Sequence, residues 1–355
     1  FGGNDMTVLT KPAQPGRGRG LRPVPWRRMA WVTWRQHRLA IAGVAAFLGV
    51  LALYLLIEGL PIRSAHAAVT ACHPASSSVC QNLANTFNTG SYVFQAGIVA
   101  ALLQVTAALI GAFAGAPVLA RELETGTFRY AWTQGFGRWR WAAAKLALLA
   151  VAVAAVAVAF SLMFSWYYQP FFASGDQTPL GSTVFDLRGI AFAAWTLAAF
   201  TIGAVAGVLI RRVVPAMAAT IVAWAGLAFV TGTYLRQHYQ APLVTANPNV
   251  PGSAWVISQW WARGGKPVGL SALNQVLQAV GVKASSPGAF QGQGSSRGGH
   301  VNPVQYLVQH GFTQMTSYQP ASRFWTFQFI EGGWLLALSL LLIIATVWLV
   351  RRRAA

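Results

Sequence analysis

Acidic side chains are the scarcest polar groups in this 355-residue sequence. It has 7 Asp and Glu residues against 26 Lys and Arg residues, and charged residues of both signs make up only 9% of the chain. A soluble domain has about 25% charged residues, so this composition excludes an ordinary water-soluble protein. Apolar residues make up 55% of the chain, which excludes intrinsic disorder as well.

Two kinds of catalytic motif are also missing from the sequence. It has no G-x-x-x-x-G-K-[ST] string, and the nearest approach, at residues 263–266, lacks the first glycine and the hydroxyl residue. No His/Glu metal motif and no nucleophile–base set occurs in the apolar runs. We therefore expect no catalytic residue, metal or cofactor on this chain.

What the sequence does contain is six long apolar runs. A helix needs about 20 apolar residues to cross the hydrocarbon core of a bilayer. The runs that qualify are Leu39–Ile57, Ser91–Ala120, Leu146–Trp166, Gly189–Ile210, Val213–Leu235 and Gly332–Val350. They predict an all-α membrane protein with six transmembrane helices, and we interpret the first run as an uncleaved signal-anchor.

The basic residues predict the orientation of these helices, because cytoplasmic segments are rich in Lys and Arg. If both termini are cytoplasmic, the inside segments carry 18 of the 26 basic residues in 70 positions, and the outside segments carry 8 in 145. The inside segments are 1–38, 121–145, 211–212 and 351–355, and the outside segments are 58–90, 167–188 and 236–325. The net charge of +19 is thus mostly a topology signal, and we expect no nucleic-acid partner.

The composition along the chain predicts four parts. Residues 1–25 form a flexible tail, in which the five residues before Met6 are interpreted as a cloning remnant. Residues 26–235 hold an N-terminal helix and spans one to five, residues 236–325 lie outside, and residues 326–355 hold span six and a basic C-terminus. Helical spacing in the outside loop predicts short helices over 270–280 and 304–310. The loop then forms a small extracellular domain or, alternatively, a loosely folded loop with interfacial aromatic residues.

Both cysteines, Cys72 and Cys80, fall in the first outside segment. An oxidising exterior favours a disulfide between them. Two free thiols are the alternative, and a metal site is disfavoured because the spacing with His66 and His73 is not that of a known metal motif.

The segment before span one combines tryptophan and arginine at helical spacing. Trp26, Trp34, Arg35 and Arg38 are typical of an amphipathic helix lying in the membrane interface. Such an elbow helix either contacts a cytoplasmic partner or serves only as an anchor.

The loop between spans two and three holds two of the seven acidic residues, Glu122 and Glu124, beside Arg121. Gly126 and Thr127 follow, and they predict the end of a short helix and the cap of the next one. A folded loop of mixed charge can dock into a cleft of a soluble partner, whereas the positive-inside rule alone does not explain its two glutamates.

The string P-x-L-A-R-E-x-E-x-G-T at Pro117–Thr127 resembles the permeases of type-2 ABC exporters. The continuation WTQGFGRWRWAAAKL, the string YQPASRFWTFQFIE before the last span and MAWVTWRQHR before the first resemble the actinobacterial branch of that family. The resemblance covers the chain from about Trp26 to Arg353 and includes the six-span order.

This resemblance implies that the chain is half of the membrane part of an ATP-driven exporter in a bacterial plasma membrane. Two separate ATPase subunits would bind ATP and Mg²⁺ and contact Arg121, Glu122, Glu124, Gly126 and Thr127. The transport path would lie between two copies of the chain, expected as a homodimer, although a related permease could replace one copy. The cargo is expected to be an amphipathic or hydrophobic compound. A non-transporting sensor or assembly factor that uses the same loop is the alternative.

Polar side chains in or near the spans are candidates for the path or an outer gate, since such residues inside membranes are usually functional. They are Glu58, Gln95, Gln104, Arg323, Gln328 and Glu331. Alternatively, Glu58 and Glu331 lie at headgroup depth and pair with Arg63 or Arg323. The small-residue motifs Gly111-x-x-x-Gly115 and Gly203-x-x-x-Gly207 permit close helix packing within one copy or between two.

Overall fold

The computed structural model describes residues 26–126, 138–175, 177–246, 249–286, 289–291, 295–296, 299–300 and 302–353. Within these ranges, six helical stretches are long and apolar enough to cross a membrane, which confirms the predicted number of spans. In chain order, spans one to six are Ala42–Ala71, Ser78–Thr125, Trp139–Ala173, Gly189–Ile210, Val213–His238 and Ala321–Arg352.

Spans one, three and six belong to long helices, which an apolar solvent favours because backbone groups there must be hydrogen-bonded within the segment. These helices are Trp26–Ala71, Arg138–Ala173 and Phe324–Arg353, the last preceded by a 3₁₀ turn at Ala321–Arg323. The first is unbroken, so the structure separates no elbow helix from span one. Its orientation relative to a membrane surface stays a prediction. The sixth helix begins at Phe324, eight residues before the predicted start of its span.

Span two is built from several short helices that follow one another. They are Ser78–Thr89, Ser91–Leu103, Thr106–Ile110, the π-helix Gly111–Gly115 and Pro117–Thr125. The π-helix comes just before Pro117, which lacks the backbone N–H that a continuing α-helix would use. Span five has a similar change near its end, where Val213–Val230 is followed by the π-helix Thr231–Leu235 and the 3₁₀ turn Arg236–His238.

Span four is the centre of the bundle. Two-thirds of its residues, 67%, are buried inside the protein, compared with 17% in spans one and five. It packs against spans two, three, five and six. Spans one and five therefore present most of their apolar surface outward, towards lipid or another subunit.

The segment between spans five and six folds into a small domain with a four-stranded antiparallel sheet in the order β1-β8-β2-β3. The strands of this sheet are β1 (Leu243–Thr245), β2 (Trp255–Arg263), β3 (Lys266–Val268) and β8 (Phe312–Gln319). Two short pairs lie between them: β4 (Lys283–Ser286) with β5 (Ala289–Gln291), and β6 (Ser295–Ser296) with β7 (Gly299–His300). The prediction of an all-α protein is therefore wrong for this part of the chain.

Two helices cover this sheet, Leu270–Leu277 and Pro303–Gln309, close to where the helical spacing predicts them. The buried core joins Trp261 of β2 and Phe312 of β8 to Leu273, Leu277 and Leu307 of the helices. Both central strands contribute to this core, and residues 57 apart along the chain face each other across them, as Gln259 and Thr316 do. The region is a packed domain rather than a loose loop.

Candidate functional site

The bundle has two ends with different chemistry. We call the end near Glu122, Arg211 and Arg351 the basic end, and the end near Asp186, Arg236 and Glu331 the loop end. Each end holds a cluster of charged side chains that joins different spans, with at least one buried member.

Arg236 is the centre of the cluster at the loop end. It lies at the end of span five, and its side chain is 1% exposed. Its Nε donates to Oε2 of Glu331 at 2.9 Å and its Nη2 donates to Oε1 at 2.7 Å. This two-point contact ties span five to span six, and Glu331 itself is fully buried. Charge-assisted bonds in this fork geometry are both strong and directional.

Asp186 supplies a second carboxylate to the same arginine. It follows the short helix Ser182–Phe185 between spans three and four, and it accepts a hydrogen bond from Nη2 of Arg236. Burial and, after it, the charge of nearby Glu331 raise the pKa of Asp186 to about 7 against the attraction of Arg236. Two carboxylates facing one guanidinium leave one negative charge without a counter-charge, so the cluster binds a proton easily near neutral pH.

Uncharged donors complete this cluster. Trp195 of span four donates from Nε1 to Oε1 of Glu331 at 2.9 Å, and Tyr239 donates from its hydroxyl to Oε2 at 3.1 Å. Trp334 in turn donates to the hydroxyl oxygen of Tyr239 at 3.0 Å. Burial raises the pKa of Tyr239, so its hydroxyl remains a donor at neutral pH. The cluster thus holds the loop-end parts of spans four, five and six together.

Gln328 ties the same region to the start of span four. Its Oε1 accepts from the backbone N–H of Ala191 at 2.8 Å, and its Nε2 donates to the carbonyl of Phe185 at 3.2 Å. Phe185 directly precedes Asp186 and Ala191 lies in the first turn of span four, so Gln328 holds the backbone on both sides of this carboxylate.

At the basic end, Glu122 is paired with Lys145 of span three. Their charged atoms are 2.6 Å apart, and the Lys145 side chain is 1% exposed. Lys145 also donates to the carbonyl of Val118 at 3.1 Å, one turn before Glu122. The short helix Pro117–Thr125 is thereby fastened to span three by a buried ion pair.

Glu124 fastens the same helix to span five. Its Oε2 accepts from the backbone N–H of Val213 at 3.1 Å, at the first residue of span five. A carboxylate at a helix N-terminus satisfies a free N–H and interacts favourably with the helix dipole. Gly126 ends the short helix in a left-handed conformation, as predicted, with φ of 71°. Thr127 lies outside the described residues.

The two glycine motifs face each other within one chain. A Cβ atom on Gly203 of span four would lie 2.5 Å from the carbonyl oxygen of Gly111 and 2.7 Å from the nitrogen of Ala116, both in span two. One on Gly111 would lie 2.6 Å from the backbone of Ala199. The motifs therefore allow close packing of spans two and four within one chain, which is the first of the two alternatives that the sequence leaves open.

The comparisons with known proteins agree with this architecture. A family model described as "ABC-2 membrane transporter related" matches residues 45–236, more than half of the chain. The chain belongs to the ABC-2 membrane transporter related family. It is a multi-pass membrane protein of the ABC-2 permease type. No curated protein and no solved structure matches the chain.

In this ABC-2 family member, the predicted pairing of Glu331 with Arg323 is wrong, because Glu331 binds Arg236. Arg323 donates instead to Gln319 at 2.5 Å and to the carbonyl of Ala241 at 2.7 Å. The predicted pair of Glu58 with Arg63 is not formed either. Arg63 donates to the carbonyl of Trp166 at 2.8 Å and stacks over its ring.

Other predicted residues of the permease have separate positions. Gln95 is exposed, and Gln104 donates to the carbonyl of Thr183 at 2.7 Å, just before Asp186. Cys72 and Cys80 form the predicted disulfide, which joins the end of span one to the start of span two. A role of any of these residues in the path stays a prediction.

The predicted elbow residues lie on the long first helix. Arg35 is exposed, with its guanidinium 5.2 Å from the ring centre of Trp31, and Arg38 is exposed as well. The side chains of Trp26 and Trp34 lie outside the described part of the structure.

Sequence reasoning missed three central residues, Arg236, Asp186 and Lys145. Arg236 directly follows an apolar run and Lys145 directly precedes one, and a charge at such a position is expected in any membrane protein. The available signal was the scarcity of acidic residues: with 7 in the chain, an acidic residue that is buried between spans needs a cationic partner.

Proposed function

We propose that this chain is the membrane-spanning subunit of an ATP-driven exporter, working as two copies with two separate ATPase subunits. The basic end would face the cytoplasm and the small domain the exterior. The family match over spans one to five supports a permease of this type. The observation that carries the proposal further is the helix Pro117–Thr125, which is fixed to two different spans by Glu122 and Glu124.

Span five connects the two charge clusters and suggests how force would pass through the molecule. Its first residue, Val213, is held by Glu124, and Arg236 near its other end is held by Glu331 and Asp186. A push from an ATPase on the helix Pro117–Thr125 would therefore move span five. That movement would strain the ion pairs of Arg236 with Glu331 and Asp186 at the loop end. Release of that cluster would open the loop end, where cargo leaves.

The cargo that fits this chain is amphipathic or hydrophobic. Spans one and five expose large apolar side chains, among them Phe47, Tyr54, Val222 and Phe229. A path lined by such faces of two copies would offer few charges to a polar solute. It would accept a drug-like or lipid-like compound from the bilayer.

Association with the ATPase is the first test. The tagged chain is extracted in detergent together with the ATPase encoded beside its gene, and stoichiometry and ATP turnover are measured. Arg121→Ala is the most informative variant, because Arg121 is exposed and its loss leaves the ion pair of Glu122 and Lys145 intact. Lys266→Ala, an exposed substitution in the small domain at the other end, is the matched control.

We expect equal stoichiometry for the wild type and for Lys266→Ala, and weaker association or uncoupled ATP turnover for Arg121→Ala and Glu124→Ala. Absence of any ATPase from the wild-type complex would contradict the proposal and favour the sensor or assembly role. Transport of a hydrophobic fluorescent probe in vesicles that contain both subunits tests the cargo class separately. ATP turnover with no probe movement would refute that part alone.

A further inference from the structure

A groove with a volume of about 390 Å³ lies between spans three and six at the basic end. Its walls include Trp139 of span three and Ile344, Val347 and Trp348 of span six, with Arg351 at its edge. Trp139 is 46% exposed, Trp348 is 49% exposed and Ile344 is 56% exposed. The groove thus presents two indole rings and aliphatic surface that no described part of the chain covers.

Guanidinium groups lie beside both tryptophan rings of this groove. Arg352 lies 4.4 Å from the ring centre of Trp348, and Arg140 lies 5.3 Å from that of Trp139. Arg351 and Arg352 are exposed at the end of span six. Among the described residues no carboxylate forms an ion pair with Arg351 or Arg352, since Glu122 is paired with Lys145 and Glu124 accepts from the N-terminus of span five.

We propose that this groove binds an anionic phospholipid. Its acyl chain would lie along Ile344 and Val347, and its phosphate would lie at Arg351 and Arg352. The volume is within the range of small-molecule sites, about 300–1,000 Å³. Tryptophan is favoured at the depth of lipid headgroups, and basic pockets between membrane helices bind anionic headgroups. The proposal does not depend on transport or on an ATPase.

Charge argues against a second copy of the chain as the occupant. A two-fold contact brings the same patch of both subunits together. A contact centred on this groove would therefore place Arg351 and Arg352 near the same residues of the other copy. Like charges so close would oppose the association, whereas a phosphate neutralises them.

The test is native mass spectrometry of the purified full-length chain, titrated in detergent with dioleoyl phosphatidylglycerol and separately with dioleoyl phosphatidylcholine. We expect one phosphatidylglycerol to bind about tenfold more tightly than phosphatidylcholine. R351Q/R352Q should remove most of this preference, because each basic residue near an anionic headgroup contributes several-fold. R211Q/R212Q removes the same charge from exposed residues at the same end, away from the groove, and should leave the preference unchanged.

Ile344→Trp tests the groove itself without any change in charge. Ile344 is exposed, so a larger side chain fits the fold but fills the groove, and we expect both lipids to bind more weakly. Equal affinity for the two lipids in the wild type would overturn the proposal. Equal losses in the two double arginine variants would also overturn it, since they would indicate a general charge effect. A shift of the monomer–dimer equilibrium by Ile344→Trp, with phosphatidylglycerol binding unchanged, would assign the groove to a second copy instead.

Discussion

Lys145 is a cation held inside the bundle, and Glu122 is the counter-charge that makes this burial tolerable. Removing one partner of a buried ion pair leaves the other uncompensated, which typically costs about 3–5 kcal/mol. We therefore expect Glu122→Gln to lower the midpoint of thermal unfolding in detergent strongly. Glu122→Leu combined with Lys145→Met should recover most of that loss, because an apolar pair of similar size leaves no buried charge. If the double variant is no more stable than Glu122→Gln, the pair is not the cause.

Asp186 should make the stability of the protein depend on pH. The folded protein holds this proton up to about pH 7, whereas an unfolded aspartate releases it near pH 4. The folded state thus binds more protons between these values, so this group's contribution to stability falls as the pH rises from about 4 to 7. Asp186→Asn should flatten that part of the profile, as measured by thermal unfolding in detergent at several pH values. Identical profiles for the two proteins would show that Asp186 keeps its ordinary pKa.

The side chains of the loop-end cluster illustrate why single residues were hard to assign from sequence. Arg236 lies 50 residues from Asp186 and 95 residues from Glu331. Helical spacing reports which residues share a face of one helix, but it says nothing about which faces of different helices meet. Proximity in the chain therefore predicts Arg323 as the partner of Glu331, whereas the structure pairs Glu331 with Arg236.

Among the elements, the contact between spans two and four depends on the absence of side chains at four glycines. We expect Gly203→Ala to destabilise the protein by about 1–3 kcal/mol, because its Cβ would press on backbone atoms of Gly111 and Ala116 that cannot turn aside. Gly97→Ala in span two is the control, since a Cβ there meets nothing within 4 Å. It should be neutral, or stabilising by up to about 1 kcal/mol through helix propensity. Equal thermal stability of the two variants would contradict this assignment.

The transmembrane helices can be predicted from the sequence and the sheet cannot, because helical hydrogen bonds are local and those of this sheet join distant segments. A membrane helix satisfies its hydrogen bonds within one segment, so 20 apolar residues identify it. The strands β2 and β8 pair across about fifty intervening residues, and each is short and mixed in polarity. The two helices of the small domain can be predicted from the sequence, because their apolar residues recur every three or four positions. The sheet that they cover has no comparable local pattern.

For the whole molecule, the proposed orientation can be tested by labelling. The two native cysteines are joined in a disulfide, so a new cysteine is the reactive thiol. Lys266→Cys, in the small domain, should react with a membrane-impermeant maleimide in intact cells. Arg211→Cys, at the basic end, should react only after the membrane is permeabilised. The reverse pattern would place the small domain in the cytoplasm and contradict the proposed direction of transport.

The internal use of Glu122 and Glu124 has a kinetic consequence for any soluble protein that approaches the basic end. With Glu122 paired to Lys145, the exposed arginines that the structure describes there, Arg121, Arg211, Arg212, Arg351 and Arg352, outnumber the exposed carboxylate of Glu124. Such a field accelerates the encounter with an acidic surface and is screened by salt. We expect the association rate of the ATPase, followed by surface plasmon resonance, to fall steeply between low and physiological ionic strength while the dissociation rate changes little. A rate that is independent of salt would mean that the first encounter between the two proteins is not steered by these arginines.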